Sequence, residues 1–311
     1  MRALVTGGAG FIGSNIVKEL LKRKYDVRVL DNLSSGYKEN LKGGGDIELI
    51  EGDINNVGTV VNAGKGVDVI FHLAASVGRQ RSIDFPQLDS ETNVIGTINV
   101  LESMRKNGIP RIVYSSSAAI FGELMSKEID ESHPQNADSP YGVSKLAAEK
   151  MILAYAGIYP QISAVCLRYF NIYGIHQRYD LYGNVIPIFA NRLLKGEELL
   201  IYGDGTQTRD FVNVDDIARA NLMGASAEVK ADVFNMGSGR SVTIQYLAEL
   251  MQDISGIHTG IQYLPERRAD VKHCKANTDK VEKKLGFSTT VDLEEGLERY
   301  WAWYKTEGFS A

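Results

Sequence analysis

The sequence predicts an α/β fold: a Rossmann-type, doubly wound parallel sheet with a smaller C-terminal α/β domain. Three observations predict it. Short apolar runs alternate with helical patterns, a glycine-rich turn follows the first apolar run, and 31 of the 311 residues are glycine. Alternation of strand and helix indicates βαβ units and a parallel sheet covered on both faces. At roughly 150 residues per domain, the length agrees with about two domains.

The predicted elements follow the chain in order. Residues 2–6 form a short apolar run, typical of a buried strand, and residues 11–24 place apolar side chains at helical spacing. Further strands are predicted at 26–30, 47–50, 69–73, 111–115 and 162–169, and further helices at 91–106 and 140–159. This rhythm ends near residue 170. We expect residues 1–170, with 212–230 returning to them, to form the first domain, and residues 171–211 and 231–311 to form a substrate-binding domain.

Composition and charge exclude several classes of protein. The chain carries 34 basic and 39 acidic residues, a net charge of −5, which argues against nucleic acid as a partner. No apolar run approaches the roughly 18 residues that cross a membrane, and the first residues lack the apolar stretch of a secretory signal. Two cysteines cannot build a disulfide framework or a Cys-rich metal site, so we expect no metal and a reducing, cytoplasmic location.

A glycine motif lies where the first strand meets the first helix. Gly7, Gly10 and Gly13 have the spacing G-x-x-G-x-x-G. Missing side chains allow a tight turn and let a pyrophosphate approach the helix N-terminus, whose N–H groups and dipole favour an anion. Asp31 follows the second strand, where a carboxylate can accept both ribose hydroxyls of an adenosine and would repel a 2′-phosphate. We therefore expect the first domain to bind NAD rather than NADP.

Other predicted strand ends offer further groups to the same edge of the sheet. Asp53 and Ile54 follow the third strand and are expected to border the adenine. His72 closes the fourth strand and is expected to be packed and hydrogen-bonded rather than catalytic. The amide of Asn93 has two interpretations that we rate equally, a bond to a neighbouring strand backbone or a contact with the cofactor.

A second motif carries the predicted chemistry. Tyr141 and Lys145 are four residues apart in a predicted helix, so that phenol and ammonium project from one face. A nearby cation lowers the pKa of a tyrosine from about 10 towards neutrality, and such a tyrosine can take a proton from a substrate hydroxyl as hydride leaves the same carbon. Ser115 to Ser117 end the fifth strand, where a hydroxyl can share the hydrogen bond to the reacting oxygen.

Together these motifs resemble the extended short-chain dehydrogenases/reductases, and most closely their nucleotide-sugar epimerases of the UDP-glucose and UDP-N-acetylglucosamine 4-epimerase type. The resemblance covers nearly the whole chain. It is strongest in TGGAGFIGS (6–14), DNLSSG (31–36), SSSAAIFGE (115–123), SPYGVSKLAAE (139–149), LRYFNIYG (167–174), GDGTQTRDFVNVDD (203–216) and RRADV (267–271). It implies a tightly held NAD⁺, a UDP-hexose substrate, a homodimer, and reversible inversion at C4 through a 4-keto sugar.

Matched residue by residue, the resemblance assigns roles within this chain. Tyr141 becomes the general base and acid, Lys145 its cationic partner and ribose anchor, and Ser117 its hydroxyl partner. The implied cofactor-binding residues are Gly7, Gly10, Phe11, Ile12, Gly13, Asp31, Asn32, Ser35, Gly36, Asp53, Ile54, Leu73, Ala74, Ala75, Asn93, Ser115, Tyr141, Lys145, Tyr169 and Phe170. The implied substrate-binding residues are Ser117, Tyr141, Asn171, Asn184, Val185, Leu200, Ile201, Tyr202, Arg209, Arg267, Asp270 and Cys274.

Within the implied substrate site, each group suits one part of a UDP-sugar. Arg209 and Arg267 match the two arginines that grip the diphosphate, and forked guanidinium groups suit phosphate oxygens. Asp270 matches a carboxylate on the uridine ribose. Residues 200–202 match the strand that binds uracil. The diphosphate would then be a fixed pivot about which the keto sugar turns over.

Several other functions are weighed against epimerisation. Dehydratases of the superfamily carry an Asp-Glu pair where this chain has Ala118 and Ala119, and UDP-glucuronate decarboxylases also expect an acid there, so both are disfavoured. A UDP-glucuronate 4-epimerase stays open, because Arg79 or Arg81 could favour an acidic sugar. A non-enzymatic NAD sensor is a separate class, but such proteins usually lose the Tyr or the Lys.

Two further features bear on specificity and assembly. Cys274 matches the position where epimerases restricted to plain hexoses carry a bulky Tyr, which predicts that UDP-GlcNAc and UDP-GalNAc are admitted. A buried structural Cys without influence on specificity is the alternative. Four aromatic residues near the C-terminus could serve either packing or an interface, and the sequence does not decide between them: Tyr300, Trp301, Trp303 and Tyr304.

Overall fold

A parallel sheet of seven strands forms the centre of the computed structural model, which describes residues 1–122, 124–180, 183–266 and 272–308. The strands are β1 (Arg2–Thr6), β2 (Asp26–Asp31), β3 (Ile47–Glu51), β4 (Val69–His72), β5 (Arg111–Ser117), β6 (Ser163–Tyr169), β7 (Asn171–Tyr173), β8 (Leu199–Tyr202), β9 (Thr208–Arg209), β10 (Phe211–Asn213), β11 (Ala231–Met236), β12 (Val242–Thr243) and β13 (Ile261–Leu264). The central order is β11-β6-β5-β4-β1-β2-β3. This order confirms the predicted Rossmann-type sheet.

The helices cover both faces of this sheet and build the second domain. They are α1 (Phe11–Lys22), α2 (Val57–Ala63), α3 (Arg79–Asp84), α4 (Pro86–Ser90), α5 (Gly96–Asn107), α6 (Pro140–Ile158), α7 (Val185–Leu194), α8 (Val214–Ser226), α9 (Ile244–Ser255), α10 (Asp279–Leu285) and α11 (Leu293–Trp303). Short helical turns at 38–41, 91–95, 118–121 and 304–308 complete the described elements. The helix predicted at 91–106 thus begins with a π turn and becomes α-helical only from Gly96.

The sheet separates two apolar cores because neighbouring strand residues point to opposite faces. Val5 of β1 packs with α1 and α8 on one face. Leu4, its neighbour, packs with α2, α5 and α6 on the other face. Strand order reverses between β1 and β4, and a crevice at the carboxyl ends of such strands is where open α/β sheets bind ligands. The fold therefore directs the glycine loop, His72 and Ser117 towards one edge.

One strand lies where the predicted boundaries do not place it. Ala231–Met236 was expected in the second domain, but it pairs in parallel with β6 in the central sheet. The segment carries apolar side chains that suit a buried strand, at Val233, Phe234 and Met236. The regular alternation of strands and helices ends near residue 170, so this segment did not stand out as part of the central sheet. We propose that the first domain includes this strand as well as the returning segment 212–230.

The second domain has its own core, formed by α7, α9 and α11 around β8. β8 pairs in parallel with β13. The four C-terminal aromatic residues belong to this core and are all buried, with Tyr300 and Tyr304 fully so. These rings therefore pack in the core of the second domain rather than forming an interface.

Candidate active site

The glycine loop between β1 and α1 has a shape that side chains would block. Gly7 adopts φ of 69°, a left-handed conformation that favours glycine. A Cβ on Gly13 would lie 2.1 Å from the carbonyl oxygen of Gly7, so only glycine lets α1 begin this close to the turn. On the other side, a Cβ on Gly7 would meet the backbone nitrogen of Ala74 at 2.7 Å. The loop and the 73–75 segment are thus packed backbone to backbone.

The N-terminus of α1 is open towards this loop and fits a dinucleotide pyrophosphate. Among the described residues, no side chain caps this helix, and its first turn carries no acidic group. Free N–H groups and the helix dipole favour an anion at this position. Phe11 and Ile12 provide the first helical N–H groups. The chain's own geometry therefore suits the pyrophosphate of NAD.

Asp31 joins the ribose side of the loop to the end of β2. One carboxylate oxygen accepts from the backbone nitrogen of Ala9 at 2.9 Å, and the other accepts from Leu33 at 2.8 Å. A Cβ on Gly36 would lie 3.0 Å from Asp31 Oδ1, so Gly36 keeps the next turn close to the carboxylate. The side chain is buried yet borders the loop, as a ribose-binding carboxylate must be.

Three residues lie near the expected adenine edge: Asn32, Asp53 and Ile54. Asn32 donates to Asp53 at 2.8 Å, which links the ends of β2 and β3. Ile54 is buried and packs against Gly96, where a Cβ would lie 2.4 Å from the Ile54 side chain. Its carbonyl accepts from Asn99 at 2.9 Å. Asp53 rather than the Ile54 side chain therefore borders the open edge. Ser35 lies in the exposed turn between Asp31 and Gly36.

His72 is a packed structural residue, as expected. Thr97 donates its hydroxyl to the carbonyl of Asn93, so its oxygen accepts from His72 Nε2 at 3.0 Å. His72 Nδ1 lies 2.7 Å from the hydroxyl of Thr6 and acts as the acceptor of that pair. Burial, together with the charge of Lys145, lowers the pKa of His72 to about 3. The ring is therefore neutral, with its proton on Nε2.

The amide of Asn93 is engaged within the protein. It accepts from the backbone nitrogen of Ser76 at 2.8 Å and donates to the carbonyl of the same residue at 3.0 Å. It also donates to Asp89 at 3.1 Å and to the hydroxyl of Ser144 at 2.9 Å. These bonds favour the structural interpretation over a cofactor contact, since they fasten the segment after β4 to α4 and α6.

Tyr141 lies at the first turn of α6, facing the end of β5. The hydroxyl of Ser139 caps this helix by accepting from Gly142 at 3.2 Å, and Pro140 occupies the first helical position. The hydroxyl of Ser117 accepts from the backbone nitrogen of Ala119 at 3.1 Å, and the interaction of Ser117 with the phenol of Tyr141 lowers the pKa of that phenol. The structure therefore brings the predicted serine and tyrosine together.

In the chain by itself, the pKa of Tyr141 is raised rather than lowered. Burial raises the pKa of the phenol to about 12, a change that Ser117 only partly offsets. Burial also lowers the pKa of the Lys145 ammonium to about 7. Desolvation disfavours both charged forms at once, and the i, i+4 spacing alone gave no sign of that.

Lys145 contacts the protein through two groups that the sequence did not indicate. Its ammonium donates to the carbonyl of Ser115 and lies 4.4 Å from the ring centroid of Tyr114. The buried carboxylate of Asp89 raises the pKa of Lys145, against the larger effect of burial. Burial also raises the pKa of Asp89. Asp89 gave no motif signal, because it contributes through packing of α4 on α6 rather than through a chemical pattern.

Glu149 and Arg168 fix α6 against the sheet. Arg168 donates to both carboxylate oxygens of Glu149, at 2.7 Å and 3.1 Å, and both side chains are buried. The hydroxyl of Ser116 donates to the same carboxylate at 2.6 Å. Since Ser116 precedes Ser117, and Glu149 lies two turns beyond Tyr141, this cluster sets the position of the tyrosine relative to the serine. Nothing in the sequence pattern indicated this role for either charged residue.

Tyr169 ends β6 and pairs with Ser117 of β5 in the central sheet, and Phe170 is the next residue. The phenol oxygen of Tyr169 accepts from Asn221 at 2.7 Å. The ring of Phe170 packs with Ala118 and Cys274 in a small apolar cluster. Tyr169 therefore holds α8 at this edge. Phe170 belongs to the cluster that joins the turn after β5 to Cys274, on the expected sugar side.

Arg209 and Cys274 belong to segments that are hydrogen-bonded to each other, because the backbone nitrogen of Thr208 donates to the carbonyl of Lys272 at 2.8 Å. The charge of Arg209 acts on the Cys274 thiol, whose pKa burial raises to about 12. Both backbone and side-chain nitrogens of Asn171 donate to the carbonyl of Asp210 at 3.1 Å, directly after Arg209. A cation and a small side chain beside the Phe170 cluster suit a diphosphate that leads to a sugar.

The other expected substrate residues lie in α7 and β8 or outside the described residues. Asn184 and Val185 begin α7, and Leu200, Ile201 and Tyr202 lie in β8. Arg267 and Asp270 fall outside the residues that the structure describes. Arg79 and Arg81 form ion pairs with Asp138 and Asp180, at 3.1 Å and 2.6 Å.

Two absences can be stated for the described residues. No group of three or more His, Cys, Asp or Glu side chains within them could hold a metal ion. None of the helices described here is both long and apolar enough to cross a membrane. Both cysteines, Cys166 and Cys274, are free.

Comparison with known proteins agrees with this geometry. Residues 3–237 match the model of the NAD dependent epimerase/dehydratase family. The chain is 40% identical over 305 residues to a putative UDP-glucose 4-epimerase of Methanocaldococcus jannaschii, covering 97% of this chain and 98% of that protein.

Two solved structures share the fold over nearly the whole chain. UDP-glucose 4-epimerase of Thermus thermophilus, in complex with NAD, has a TM-score of 0.90 and 33% identity, covering 99% of this chain and 100% of its own. UDP-N-acetylglucosamine 4-epimerase of Methanobrevibacter ruminantium, in complex with UDP-N-acetylmuramic acid, has a TM-score of 0.94 and 34% identity, covering 98% of both chains.

Proposed function

Because the chain belongs to the NAD-dependent epimerase/dehydratase family, whose cofactor is NAD, we propose that it is a UDP-sugar 4-epimerase. It inverts C4 reversibly through a 4-keto sugar and acts on UDP-GlcNAc and UDP-GalNAc as well as on UDP-Glc and UDP-Gal. The observation that carries this proposal is that Ser117 and Tyr141 come together at the carboxyl edge of the sheet, with two alanines, Ala118 and Ala119, directly after the serine.

The proposed mechanism gives Tyr141 the proton of the sugar O4. Ser117 shares the hydrogen bond to that oxygen and orients the phenol. NAD, held by the glycine loop and Asp31, would supply a hydride acceptor and a positive charge to the site. Since the pKa of Tyr141 is about 12 in the chain by itself, a nearby cation is needed before the phenol can act as a base at neutral pH. Tyr141 returns the proton when the keto sugar is reduced on its other face.

Lys145 supports this proton transfer from the base of the site. Its pKa of about 7 keeps a large fraction of the ammonium charged near neutrality, with the Asp89 carboxylate favouring the charged form. Its hydrogen bond to Ser115 holds it beneath the strand that carries Ser117. The proposed role as ribose anchor requires that this ammonium also reach the cofactor.

Inversion also requires a fixed pivot for the sugar. We assign the diphosphate to Arg209 and Arg267, the uridine ribose to Asp270, and the uracil to residues 200–202. Asn171, Asn184 and Val185 complete the proposed substrate contacts. Of these, Arg209 is supported by the hydrogen bond between Thr208 of its strand and Lys272 of the segment that leads to Cys274, beside the expected sugar site.

Dehydration and decarboxylation are less well supported. Ala118 and Ala119 lie in the turn that follows Ser117, where side chains without titratable groups cannot move protons. The family description includes dehydratases, so this local feature is what favours epimerisation. UDP-glucuronate is also less well supported, since Arg79 and Arg81 are both engaged in ion pairs with aspartates.

Acceptance of N-acetylated sugars rests on Cys274. The thiol lies in the apolar cluster with Phe170 and Ala118, next to the catalytic strand. A small side chain at this point leaves room that a tyrosine ring would fill. The comparison with a UDP-N-acetylglucosamine 4-epimerase supports the same choice.

The proposed homodimer would use an apolar surface on α3 to α6. Phe85, Leu88 and Ile95 are each at least half exposed, at 53%, 51% and 50%, and Met151 of α6 is 39% exposed. Exposed apolar side chains in one patch are typical of protein interfaces. A second copy of the chain would bury this surface. The two free thiols fit the proposed cytoplasmic location, where disulfides are rare.

The proposal is tested with purified protein and no added NAD. UDP-Glc, UDP-GlcNAc and UDP-GlcA are incubated separately, and the C4 products are resolved by NMR. C4 epimers of the first two, and none with Tyr141→Phe, are expected. Absence of any C4 epimer from protein shown to contain NAD would contradict the proposal, and turnover of UDP-GlcA alone would favour the glucuronate epimerase.

A further inference from the structure

We propose that Asp210 is a positioning residue that fixes Arg209 relative to Cys274, and so sets the distance between the diphosphate and sugar ends of the substrate site. The inference rests on the proposed function. Asp210 lies between β9 and β10 and has no exposed surface. It therefore does not touch the substrate itself.

The carboxylate of Asp210 accepts four hydrogen bonds. Oδ1 accepts from the backbone nitrogen of Ser238 at 2.7 Å and from its hydroxyl at 2.6 Å. Oδ2 accepts from the backbone nitrogens of Gly239 and Ala276, at 3.1 Å and 2.9 Å. Burial raises the pKa of Asp210, and these four donors oppose that change by stabilising the charged form.

These donors come from two segments that are distant in sequence. Ser238 and Gly239 follow β11 of the central sheet, whereas Ala276 lies two residues beyond Cys274. The packing around the carboxylate is tight, because a Cβ on Gly237 would lie 2.7 Å from Asp210 Oδ2 and 2.5 Å from the Cβ of Ala276. One buried carboxylate therefore joins the central sheet, the Arg209 strand and the Cys274 segment.

The backbone on either side of Asp210 is also held in place. Arg209 pairs with Val242 across the β9 and β12 ladder. The backbone nitrogen of Thr208 donates to the carbonyl of Lys272 at 2.8 Å. Arg209 thus has a strand on one side and the 272–276 segment on the other, and the Asp210 carboxylate fastens the far end of that segment.

An asparagine at this position would conflict with its surroundings in a defined way. The side-chain amide has one oxygen and one NH₂ group, whereas all four partners are donors. Whichever way the amide is turned, its NH₂ faces either Ser238 or the pair Gly239 and Ala276. Two donors facing each other in a buried site are costly, so one segment must move away.

Asp216 provides a matched control. It is also a buried carboxylate, and it accepts from Thr290 at 3.0 Å and 2.8 Å, from Val291 at 3.1 Å and from Arg219 at 2.5 Å. It ties α8 to the 290–291 segment, with no contact to the proposed site residues among those described. Asp216→Asn therefore removes a comparable charge and comparable hydrogen bonds elsewhere in the fold.

The experiment compares Asp210→Asn and Asp216→Asn, both with NAD bound, in two assays. UDP binding is measured by calorimetry. The rate of Cys274 modification by a maleimide is measured in the same NAD-bound protein without UDP, where Cys166 has no exposed surface and does not interfere. Asp210→Asn should weaken UDP binding about tenfold, in line with the loss of one or two hydrogen bonds to a charge, and should change the labelling rate severalfold. Asp216→Asn should leave both within about twofold, as expected for a distant, independent site.

Each other outcome has a meaning. UDP affinity and labelling unchanged in Asp210→Asn, or changed equally in both variants, would overturn the inference. Wild-type protein that does not bind UDP would refute the proposed function, while the labelling rates would still decide whether Asp210 fixes the Cys274 segment. If Asp210→Asn does not fold, Ser238→Ala, which removes a single donor, should produce smaller changes in the same two readouts, and unchanged readouts would overturn the inference.

Discussion

Gly142 of α6 allows the helix to approach the strand that carries Ser117. A Cβ at this position would lie 2.4 Å from the carbonyl oxygen of Ala119 and 3.1 Å from the Cβ of Ala137. In the same helix, no described atom lies within 4 Å of a Cβ on Gly157. Gly142→Ala and Gly157→Ala are therefore the same chemical change made at a crowded and at an open position of one helix.

The expected magnitude follows from the distance. Restoring the contact from 2.4 Å to an ordinary separation of about 3.4 Å requires a movement of about 1 Å by α6 or by the 118–121 turn. Tyr141 precedes Gly142, and Ser117 precedes that turn, so the movement separates the reacting groups. A misplacement of about 1 Å can cost roughly a hundredfold in rate, and overpacking costs about 1–3 kcal/mol of stability.

The assay is kcat for C4 epimerisation, together with the melting temperature and the bound NAD of each variant. Gly142→Ala should lower kcat by about a hundredfold and lower the melting temperature. Gly157→Ala should keep wild-type kcat and stabilise the protein by up to about 1 kcal/mol, because alanine is the better helix former. Wild-type kcat in Gly142→Ala, or an equal loss in both variants, would refute the reasoning.

Four other perturbations have outcomes that the described contacts define. The pKa of His72 is about 3 in the folded chain and near 6.5 in the unfolded chain. Between pH 7 and pH 5, only the unfolded chain therefore gains a proton on this residue. Titration of His72 should thus lower the free energy of unfolding by about 2 kcal/mol from pH 7 to pH 5. Urea titrations of wild type and His72→Gln measure this slope, and an unchanged slope in the variant would contradict it. Arg168→Met leaves the Glu149 charge buried and unpaired, and should lower the free energy of unfolding by about 3–5 kcal/mol in the same titration. The double variant Arg168→Met, Glu149→Leu should regain more than half of that loss. No recovery of stability would argue against an ion-pair origin. Cys274→Tyr should lower kcat/KM for UDP-GlcNAc at least about tenfold more than for UDP-Glc, whereas an equal loss on both would refute its role in specificity. Leu88→Lys should shift the protein from dimer to monomer in sedimentation velocity, and a persistent dimer would place the interface elsewhere.

The sequence predicted the central fold because local signals there agree with one another. Residues 2–6 and the turn that follows carry a strand pattern, a glycine spacing and a helix pattern in direct succession, and the structure reproduces all three. The predicted boundaries place the segment 231–236 in the second domain, whereas it pairs with β6 of the central sheet. Its place beside β6 depends on a long crossover, and periodicity within the segment says nothing about its partner strand.

The sequence predicted which residues form the site but not the pKa values of their side chains. Spacing identifies Tyr141 and Lys145, yet their pKa shifts come from burial beneath α4 and β5, which no local pattern reports. Asp89 and Asp210 were missed for the same reason. Each acts on residues distant in sequence, so its role exists only once the segments have packed together.

The central claim is that C4 is oxidised and then reduced again within one bound complex. Incubation of the purified protein with UDP-glucose deuterated at C4 tests it most directly, with the position of the label read by NMR. The account predicts UDP-galactose that retains deuterium at C4. Deuterium at C6 of a 4-keto-6-deoxy sugar, or its loss to water, would contradict the account.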